Sequence, residues 1–214
     1  MKRNAVLDWD GNEKHQDVEY DRLDRQIAFV IELDKLKSVL RQTILMDGSR
    51  QENAAEHSWH LAVMALLLSE YAVENNIDLL RVIKMLLIHD IVEIDAGDTY
   101  CYDDAEVAKQ AAREKKASER LFNILPPDQS EGFRRLWDEF EARKTSEAQL
   151  ANALDCFQPI LQNYSSNGKI WKKHRIKGDQ VLARNKHVQE SAPVIWKRIV
   201  RFIHDAAEKG MLLK

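Results

Sequence analysis

Apolar side chains recur at helical spacing along most of this sequence. The first run begins at Leu23 and continues through Ile27, Ile31 and Leu40 on one helical face. The turn-forming residues 47–49, Asp-Gly-Ser, mark the point where this face ends. The pattern therefore predicts a first helix that runs from about residue 23 to this turn.

Two further apolar runs predict central helices. Asn53 begins the first of them, and Glu56 lies three residues later, the spacing of a capping box. Asp78 caps the second, an aliphatic helix that passes directly into His89 and Asp90. Polar groups are therefore expected at the end of a buried helix.

The rest of the chain is also predicted to be helical, so the expected fold class is all-α. Seven glycines and four prolines are few for 214 residues, which disfavours turn-rich sandwiches and barrels. Residues 1–20 are polar and lack a sustained period, so we expect a flexible N-terminal arm followed by one helical domain over residues 21–214. The remaining helices are predicted at about residues 105–123, 130–143, 146–164, 179–190 and 192–209.

Composition limits the partners and the location. The formal net charge of −3 gives no overall attraction toward a nucleic acid polymer or an anionic membrane. The longest apolar run, residues 82–88, is far shorter than the roughly 18 residues needed to cross a bilayer. Two cysteines, Cys101 and Cys156, and a start without a secretory leader lead us to expect a cytoplasmic protein.

Histidine and aspartate residues on the central helices carry the candidate chemistry. His57 shares a helical face with Leu61 and Met64, so it points inward, although a lone inward histidine is usually a hydrogen-bonded core residue. His89 and Asp90 end an aliphatic helix, where an uncompensated carboxylate is costly to bury. A metal ion or an arginine is therefore expected beside them.

A His-Asp pair alone is weak support for a metal site. The C-terminal amphipathic helix carries a second pair, His204 and Asp205, without a glutamate three residues later or a following Gly-Asp. We interpret that second pair as an ordinary helix-surface feature. Only the sequence context distinguishes the first pair from it.

That context resembles a known family. Four short segments occur in a fixed order: AEHS at residues 55–58, HDIVE at 89–93, AGD at 96–98 and ALD at 153–155. Together they resemble the HD-domain superfamily of metal-dependent phosphohydrolases, in particular its branch of small bacterial 5′-deoxynucleotidases, over about residues 34–164. The resemblance implies a single-domain helical bundle with a buried metal site, and also a homodimer.

The resemblance further implies a set of metal ligands. Carried over position by position, it makes His57, His89, Asp90 and Asp155 the ligands of one divalent ion. Mixed nitrogen and oxygen ligands suit Mn, Co, Ni, Fe or Zn better than a calcium cage. The expected cofactor is therefore one of these ions.

Four more residues receive roles from the same resemblance. It implies that Glu93 handles protons near the metal, that Asp98 orients the attacked phosphate or protonates the leaving oxygen, and that Arg41 binds the phosphate. Thr99 is grouped with Arg41 and Asp98 as substrate-binding. The alternatives are a surface acid at Glu93, a turn residue at Asp98 and a solvated helix-end arginine at Arg41.

Two features leave the substrate open. Gln42 stands where deoxynucleotidase-type members carry an aromatic residue, so the sequence does not predict a preference between deoxyribose and ribose. The basic segment at residues 167–173, with Trp171 inside it, could close over a phosphate or stack on a base. Such a segment is more often a solvated face.

The resulting hypothesis is a metal-dependent phosphohydrolase that acts on a nucleoside 5′-monophosphate. The expected partner is thus a small phosphate ester, with no nucleic acid polymer and no membrane. Three alternatives stay open: a non-catalytic regulatory protein that binds metal and nucleotide, a phosphodiesterase, and a purely structural helical protein. A nuclease is disfavoured because the net charge of −3 and the lack of a long basic stripe give a polymer little to hold.

Overall fold

The computed structural model describes residues 13–213, except for the side chains of residues 13–19 and of residue 104. Helices dominate it, so the all-α prediction is confirmed, with one small hairpin added. The strands are β1 (Leu40–Ile44) and β2 (Gln51–Asn53), and short 3₁₀ turns cover Asp34–Ser38, Ser69–Tyr71 and His89–Val92. The α-helices are α1 (Glu13–Leu33), α2 (Ala54–Leu68), α3 (Leu79–Ile88), α4 (Glu93–Ala96), α5 (Asp104–Phe122), α6 (Pro127–Ala142), α7 (Ser146–Ser165), α8 (Lys169–Lys173), α9 (Gly178–Asn185), α10 (Val188–Ser191) and α11 (Pro193–Glu208).

The first predicted helix is wrong beyond residue 33. There α1 ends, a 3₁₀ turn follows, and Val39 adopts an extended conformation that leads into β1. β1 pairs antiparallel with β2, with Leu40 opposite Asn53, and Gly48 at a positive φ of 73° helps to close the connection between them. The apolar spacing continues across this boundary, but Thr43 and Ile44 are β-branched and fit a strand better than a helix.

The N-terminal end of α1 also differs from the expectation. Of the predicted flexible arm, residues 1–12 lie outside the described residues, so their flexibility stays a prediction. The remainder of that stretch, residues 13–20, is the start of α1.

Two hydrophobic clusters pack on either side of the turn His89–Val92, which carries the candidate site residues His89 and Asp90. The larger cluster packs α2, α3, α7 and α11 together through fully buried side chains such as Leu61, Leu86, Leu154 and Ile199. The smaller one joins α1, α5 and α6 to the turn that follows α3, and Phe122 is its largest fully buried side chain. The turn His89–Val92 is therefore held on both sides by packed core, which fixes its polar side chains in place.

The switch from α-helix to 3₁₀ geometry after α3 sets the direction of two acidic side chains. In a 3₁₀ turn, residues three apart lie above one another. Asp90 and Glu93 have this spacing across the turn His89–Val92 and the start of α4, and both are buried. Both carboxylates are thus brought to the same side of the chain.

Many of the apolar side chains that the pattern assigned to a core face are exposed instead. On α1, Leu23, Ile27 and Ile31 face solvent, whereas Phe29 makes the buried contact.

Among the described helices, none is both long enough and apolar enough to span a membrane.

Candidate active site

His57 lies in the first turn of α2, and the start of that helix is firmly capped. The Asn53 side chain accepts a hydrogen bond from the Glu56 backbone N–H, and the Glu56 carboxylate accepts one from the Asn53 N–H in return. His57 is fully buried. Its ring is therefore held in a fixed position at the inner end of the helix.

His89 has a defined tautomer. Its Nδ1 lies 2.9 Å from the backbone oxygen of Leu86. Because a carbonyl oxygen only accepts, Nδ1 must carry a proton, so Nε2 is the nitrogen that can offer a lone pair once it is deprotonated. That Nε2 atom is buried and makes no well-aligned hydrogen bond within residues 13–213, although Asp90 Oδ1 lies 3.0 Å from it. A buried nitrogen with a free lone pair is suited to bind a metal ion.

The predicted ligands converge on one point. One ligating atom each from His57, His89 and Asp90 lies within 4.8 Å of the other two, an arrangement that could hold a metal ion. The fourth predicted ligand, Asp155, is not part of that group of three, but its Oδ1 lies 3.0 Å from His57 Nε2 and 3.8 Å from His89 Nε2. Two imidazole nitrogens and two carboxylates form a donor set that fits a divalent transition ion.

His89, Asp90 and Asp155 change one another's pKa values because their charges lie close together. Burial alone would raise the pKa of Asp90, but His89 and Arg41 outweigh burial and lower that pKa to about 2. The pKa of Asp155 is also lowered despite burial, because His57 and His89 both lie close to its carboxylate. Burial would lower the pKa of His89, yet Asp90 and Asp155 raise it. The buried carboxylates thus stay ionised and require positive charge beside them.

Arg41 supplies some of that positive charge. Its Nη1 lies 2.7 Å from Asp90 Oδ2 and 3.9 Å from Asp98 Oδ1, and only 12% of its side chain is exposed. The structure therefore places Arg41 on strand β1 and partly buried, not at a solvated helix end. A guanidinium beside the predicted ligands is well placed to bind an oxygen of a phosphoryl group.

Glu93 and Asp98 are acids whose pKa values are raised above their usual range. Burial and then the negative charge of Asp90 raise the pKa of Glu93 well above its usual range. Burial also raises the pKa of Asp98, although Arg41 partly offsets the effect. Asp98 accepts a hydrogen bond from the Gln42 backbone N–H at 3.2 Å. Both residues can therefore exchange protons near the predicted metal position.

A cavity of about 140 Å³ opens beside this cluster. Thr99 lies on its wall, with its hydroxyl 2.9 Å from Arg113 Nη2. The basic segment 167–173 contributes Trp171, which is buried in the wall, whereas the lysines of this segment face outward. The lining as a whole combines predicted site residues with aromatic, thiol and amide groups: Arg41, Gln42, Thr43, Asp98, Thr99, Tyr100, Cys101, Tyr102, Asp155, Cys156, Pro159, Ile160, Asn163, Ile170, Trp171, Arg184 and Asn185.

The second His-Asp pair lies elsewhere. Asp205 on α11 accepts a hydrogen bond from the Tyr164 hydroxyl and pairs with Lys209, and His204 is exposed. This placement agrees with the interpretation of that pair as a helix-surface feature.

Two buried polar residues beside the cluster were missed from the sequence. Glu52 on β2 and Gln158 on α7 are 2% and 0% exposed, and they are hydrogen-bonded to each other. A buried polar residue on α7 was detectable in principle, because Gln158 follows Asp155 by three residues. Glu52 was not detectable, because the hairpin that buries it was predicted as part of a helix and turn.

Comparison with known proteins gives consistent matches. A family model described as HD domain matches residues 33–196. Human 5′-deoxynucleotidase HDDC2 is 27% identical over 137 residues, which are 64% of this chain and 65% of that protein. The chain therefore spans just under two thirds of that relative's length. The Dictyostelium discoideum 5′-deoxynucleotidase HDDC2 is 31% identical over 135 residues, 61% of this chain and 71% of that protein.

A solved structure is also similar over nearly the whole chain. A protein from Magnetospirillum magnetotacticum, described as a predicted metal-dependent phosphohydrolase, superimposes with a TM-score of 0.85 and is 46% identical. The match covers 91% of this chain and 100% of that one. A Pyrococcus furiosus protein with a TM-score of 0.57 and 21% identity shares the fold.

Proposed function

This chain belongs to the HD-domain family, and from that premise we propose that it is a metal-dependent phosphohydrolase that releases phosphate from a nucleoside 5′-monophosphate. The observation that carries the proposal is the position of Arg41. It connects the His57, His89, Asp90 cluster to the cavity, so a phosphate held by Arg41 lies next to the predicted metal. The 5′-deoxynucleotidase names of the relatives support a nucleotide as the substrate class.

The metal proposal follows from the donor set. His57, His89, Asp90 and Asp155 would hold one divalent ion of the Mn, Co, Ni, Fe or Zn type. Such an ion, when bound, polarises a phosphoryl oxygen and makes water more acidic. The buried Nε2 of His89 and the ionised carboxylates fit this role.

The other side chains supply binding and proton transfer. Arg41 binds a phosphoryl oxygen and offsets the charge that grows on it during hydrolysis. Asp98, whose pKa is raised by burial, donates a proton to the leaving 5′-oxygen, and Glu93 accepts and releases protons near the metal. Thr99 contacts the substrate from the cavity wall. Hydrolysis consumes one water molecule, which attacks phosphorus as the bond to the 5′-oxygen breaks; burial of the cluster residues limits access of further solvent.

A panel of substrates tests this proposal. Purified protein, stripped with a chelator and reloaded separately with each divalent metal, is mixed with ribo- and deoxyribonucleoside mono-, di- and triphosphates and with a phosphodiester. We expect phosphate release from 5′-monophosphates only, and only after a metal is restored. Gln42 lines the cavity. The ratio of deoxyribo- to ribonucleotide turnover then shows whether a site with Gln42 prefers deoxyribose or ribose.

Three outcomes contradict the proposal in distinguishable ways. Cleavage of the diester alone indicates a phosphodiesterase. Stoichiometric metal and tight nucleotide binding without any release of phosphate indicate a regulatory protein. Full activity of the stripped protein shows that no metal takes part.

We also propose that the protein is a homodimer. Leu23, Ile27 and Ile31 form an exposed apolar stripe on α1, and further exposed leucines lie on α2 and α3. Apolar surface of this extent usually marks a contact with another chain. Light scattering after gel filtration should give twice the mass of one chain, and Ile27→Glu should shift the protein toward the monomer. A monomeric wild-type protein at micromolar concentration would contradict this proposal.

A cytoplasmic location is the last part of the proposal. Cys101 and Cys156 line the same cavity and are free thiols. Unpaired cysteines are typical of proteins in a reducing compartment. Recovery of the protein from the cytoplasmic fraction is the expected result, and recovery outside the cell contradicts it.

A further inference from the structure

Gln158 fixes the tautomer of His57. Its Nε2 donates to Glu52 Oε1 at 2.6 Å and lies 3.3 Å from His60 Nδ1, so both amide hydrogens have acceptors. Its Oε1 faces His57 Nδ1 at 3.2 Å. An amide oxygen only accepts, so His57 Nδ1 carries a proton, and Nε2, 3.0 Å from Asp155 Oδ1, is the ring nitrogen left for a metal ion that takes the place of its proton.

Glu52 touches two parts of the site with one carboxylate oxygen. Its Oε2 lies 3.5 Å from His57 Nδ1 and 3.7 Å from Arg41 Nε. The same oxygen also accepts a hydrogen bond from the Thr43 hydroxyl at 3.4 Å. Arg41 Nε is buried and has no hydrogen-bond partner among the described residues; Glu52 is the carboxylate beside this atom, whereas Asp90 pairs with Nη1.

Neither residue can act directly on a substrate. Among the described residues that line the cavity, Glu52 and Gln158 do not appear, and both are buried behind His57. If Glu52 and Gln158 only stabilised the fold, they would not need to contact His57 Nδ1, the ring nitrogen that faces away from the predicted metal. Here the contacts reach the ring nitrogen of His57 that faces away from the cluster, where a partner controls ligand orientation and basicity.

We propose that Glu52 and Gln158 are positioning residues: together they hold His57 in the tautomer that presents Nε2 to the metal, and Glu52 alone also orients Arg41. The metal ligand and the phosphate-binding arginine thereby share one buried support. The proposal rests on the proposed function only for its substrate readout. Its metal readout is independent of which substrate the protein uses.

Two variants separate the two contacts. Gln158→Met removes the contact to His57, and Glu52→Gln weakens the contacts to both His57 and Arg41. With partners of this kind removed, affinity for Mn or Zn should fall by roughly 10- to 100-fold, measured by competition with a chelating dye. The control is Gln149→Met, which changes a glutamine on the same helix α7 that bonds the Arg143 backbone oxygen, and it should leave metal affinity unchanged.

Kinetics at saturating metal distinguish positioning from folding. Of the two residues, Glu52 lies near Arg41 and Gln158 does not. At saturating metal, Glu52→Gln should therefore raise the KM for the phosphate ester, whereas Gln158→Met should have a nearly wild-type KM. Unchanged metal affinity in both folded variants overturns the proposal. An equal rise in KM in both variants overturns the part that concerns Arg41.

A measurement on the wild-type chain covers the case in which a variant does not fold. Two-bond nitrogen–proton spectra of ¹⁵N-histidine-labelled, zinc-loaded protein should show His57 protonated on Nδ1, with zinc on Nε2. Protonation on Nε2, with zinc on Nδ1, overturns the proposal. Failure of the proposed function looks different: metal affinity and tautomer behave as expected, but no nucleotide is hydrolysed.

Discussion

Asp90→Asn should abolish stoichiometric metal binding and reduce phosphate release by about a thousandfold or more. Asp90 is 7% exposed, contributes one of the three converging ligand atoms and carries a charge that His89 and Arg41 stabilise. A neutral amide is a much weaker ligand for a divalent ion. Loss of the ion removes several kcal/mol of transition-state stabilisation, and each 1.36 kcal/mol corresponds to about tenfold in rate. Metal content by mass spectrometry and phosphate release measure the two effects.

The chain contains its own control for this substitution. Asp205→Asn changes the aspartate of the other His-Asp pair, which bonds Tyr164 and Lys209 at the surface. That variant should keep both metal and activity. If Asp90→Asn retained one metal ion per chain together with wild-type turnover, Asp90 would not be a ligand and the site as described would be wrong.

The sequence pattern predicted the inward positions of the candidate ligands, whereas their assignment as ligands came from the family resemblance. His57 and His89 follow from the apolar faces of two central helices, and Asp155 lies beside the stripe of a third. Helices α2, α3 and α7 pack against one another, so the predicted inward positions meet in space. Local periodicity is sufficient for these inward positions because the helices that carry them form the centre of the core, and the ligand role of the four residues stays a prediction.

Periodicity alone did not predict the position of a side chain that is placed by contacts between residues far apart in the sequence. In the β1–β2 hairpin Leu40 lies opposite Asn53, a pairing that no short window of sequence reveals. The partnership of Glu52 and Gln158 joins residues 106 positions apart. Arg41 could be named only by resemblance, since its burial depends on this hairpin.

Periodicity also identifies an apolar face without identifying what covers it. The stripe on α1 was predicted correctly as a helical face, yet Leu23 and Ile27 are exposed while Phe29 makes the packing contact. The polar side of the same helix holds it to the domain, through Arg22 paired with Asp128 and Arg25 bonded to the backbone after α5. The core-facing side of α1 is thus partly polar, which reverses the usual rule.

Glu93→Gln should separate catalysis from metal binding. Glu93 is 6% exposed, and its Oε2 has no hydrogen-bond partner in the described part of the chain. It lies outside the converging group of His57, His89 and Asp90, so the metal should stay bound. Glutamine keeps the shape of the side chain but cannot exchange a proton. Loss of general acid–base catalysis typically lowers kcat by about 10²- to 10⁴-fold, which steady-state phosphate release measures.

Asp95→Asn is the matched control for Glu93→Gln, because Asp95 lies two residues further along α4 and pairs with Arg120 at the surface. It should keep wild-type kcat. Metal content must be equal in wild type and both variants, since a loss of metal in Glu93→Gln would assign Glu93 to the ligand set instead. If Glu93→Gln kept wild-type kcat with metal bound, Glu93 would take no part in proton transfer. Proton transfer would then fall to Asp98, the other buried acid that faces Arg41.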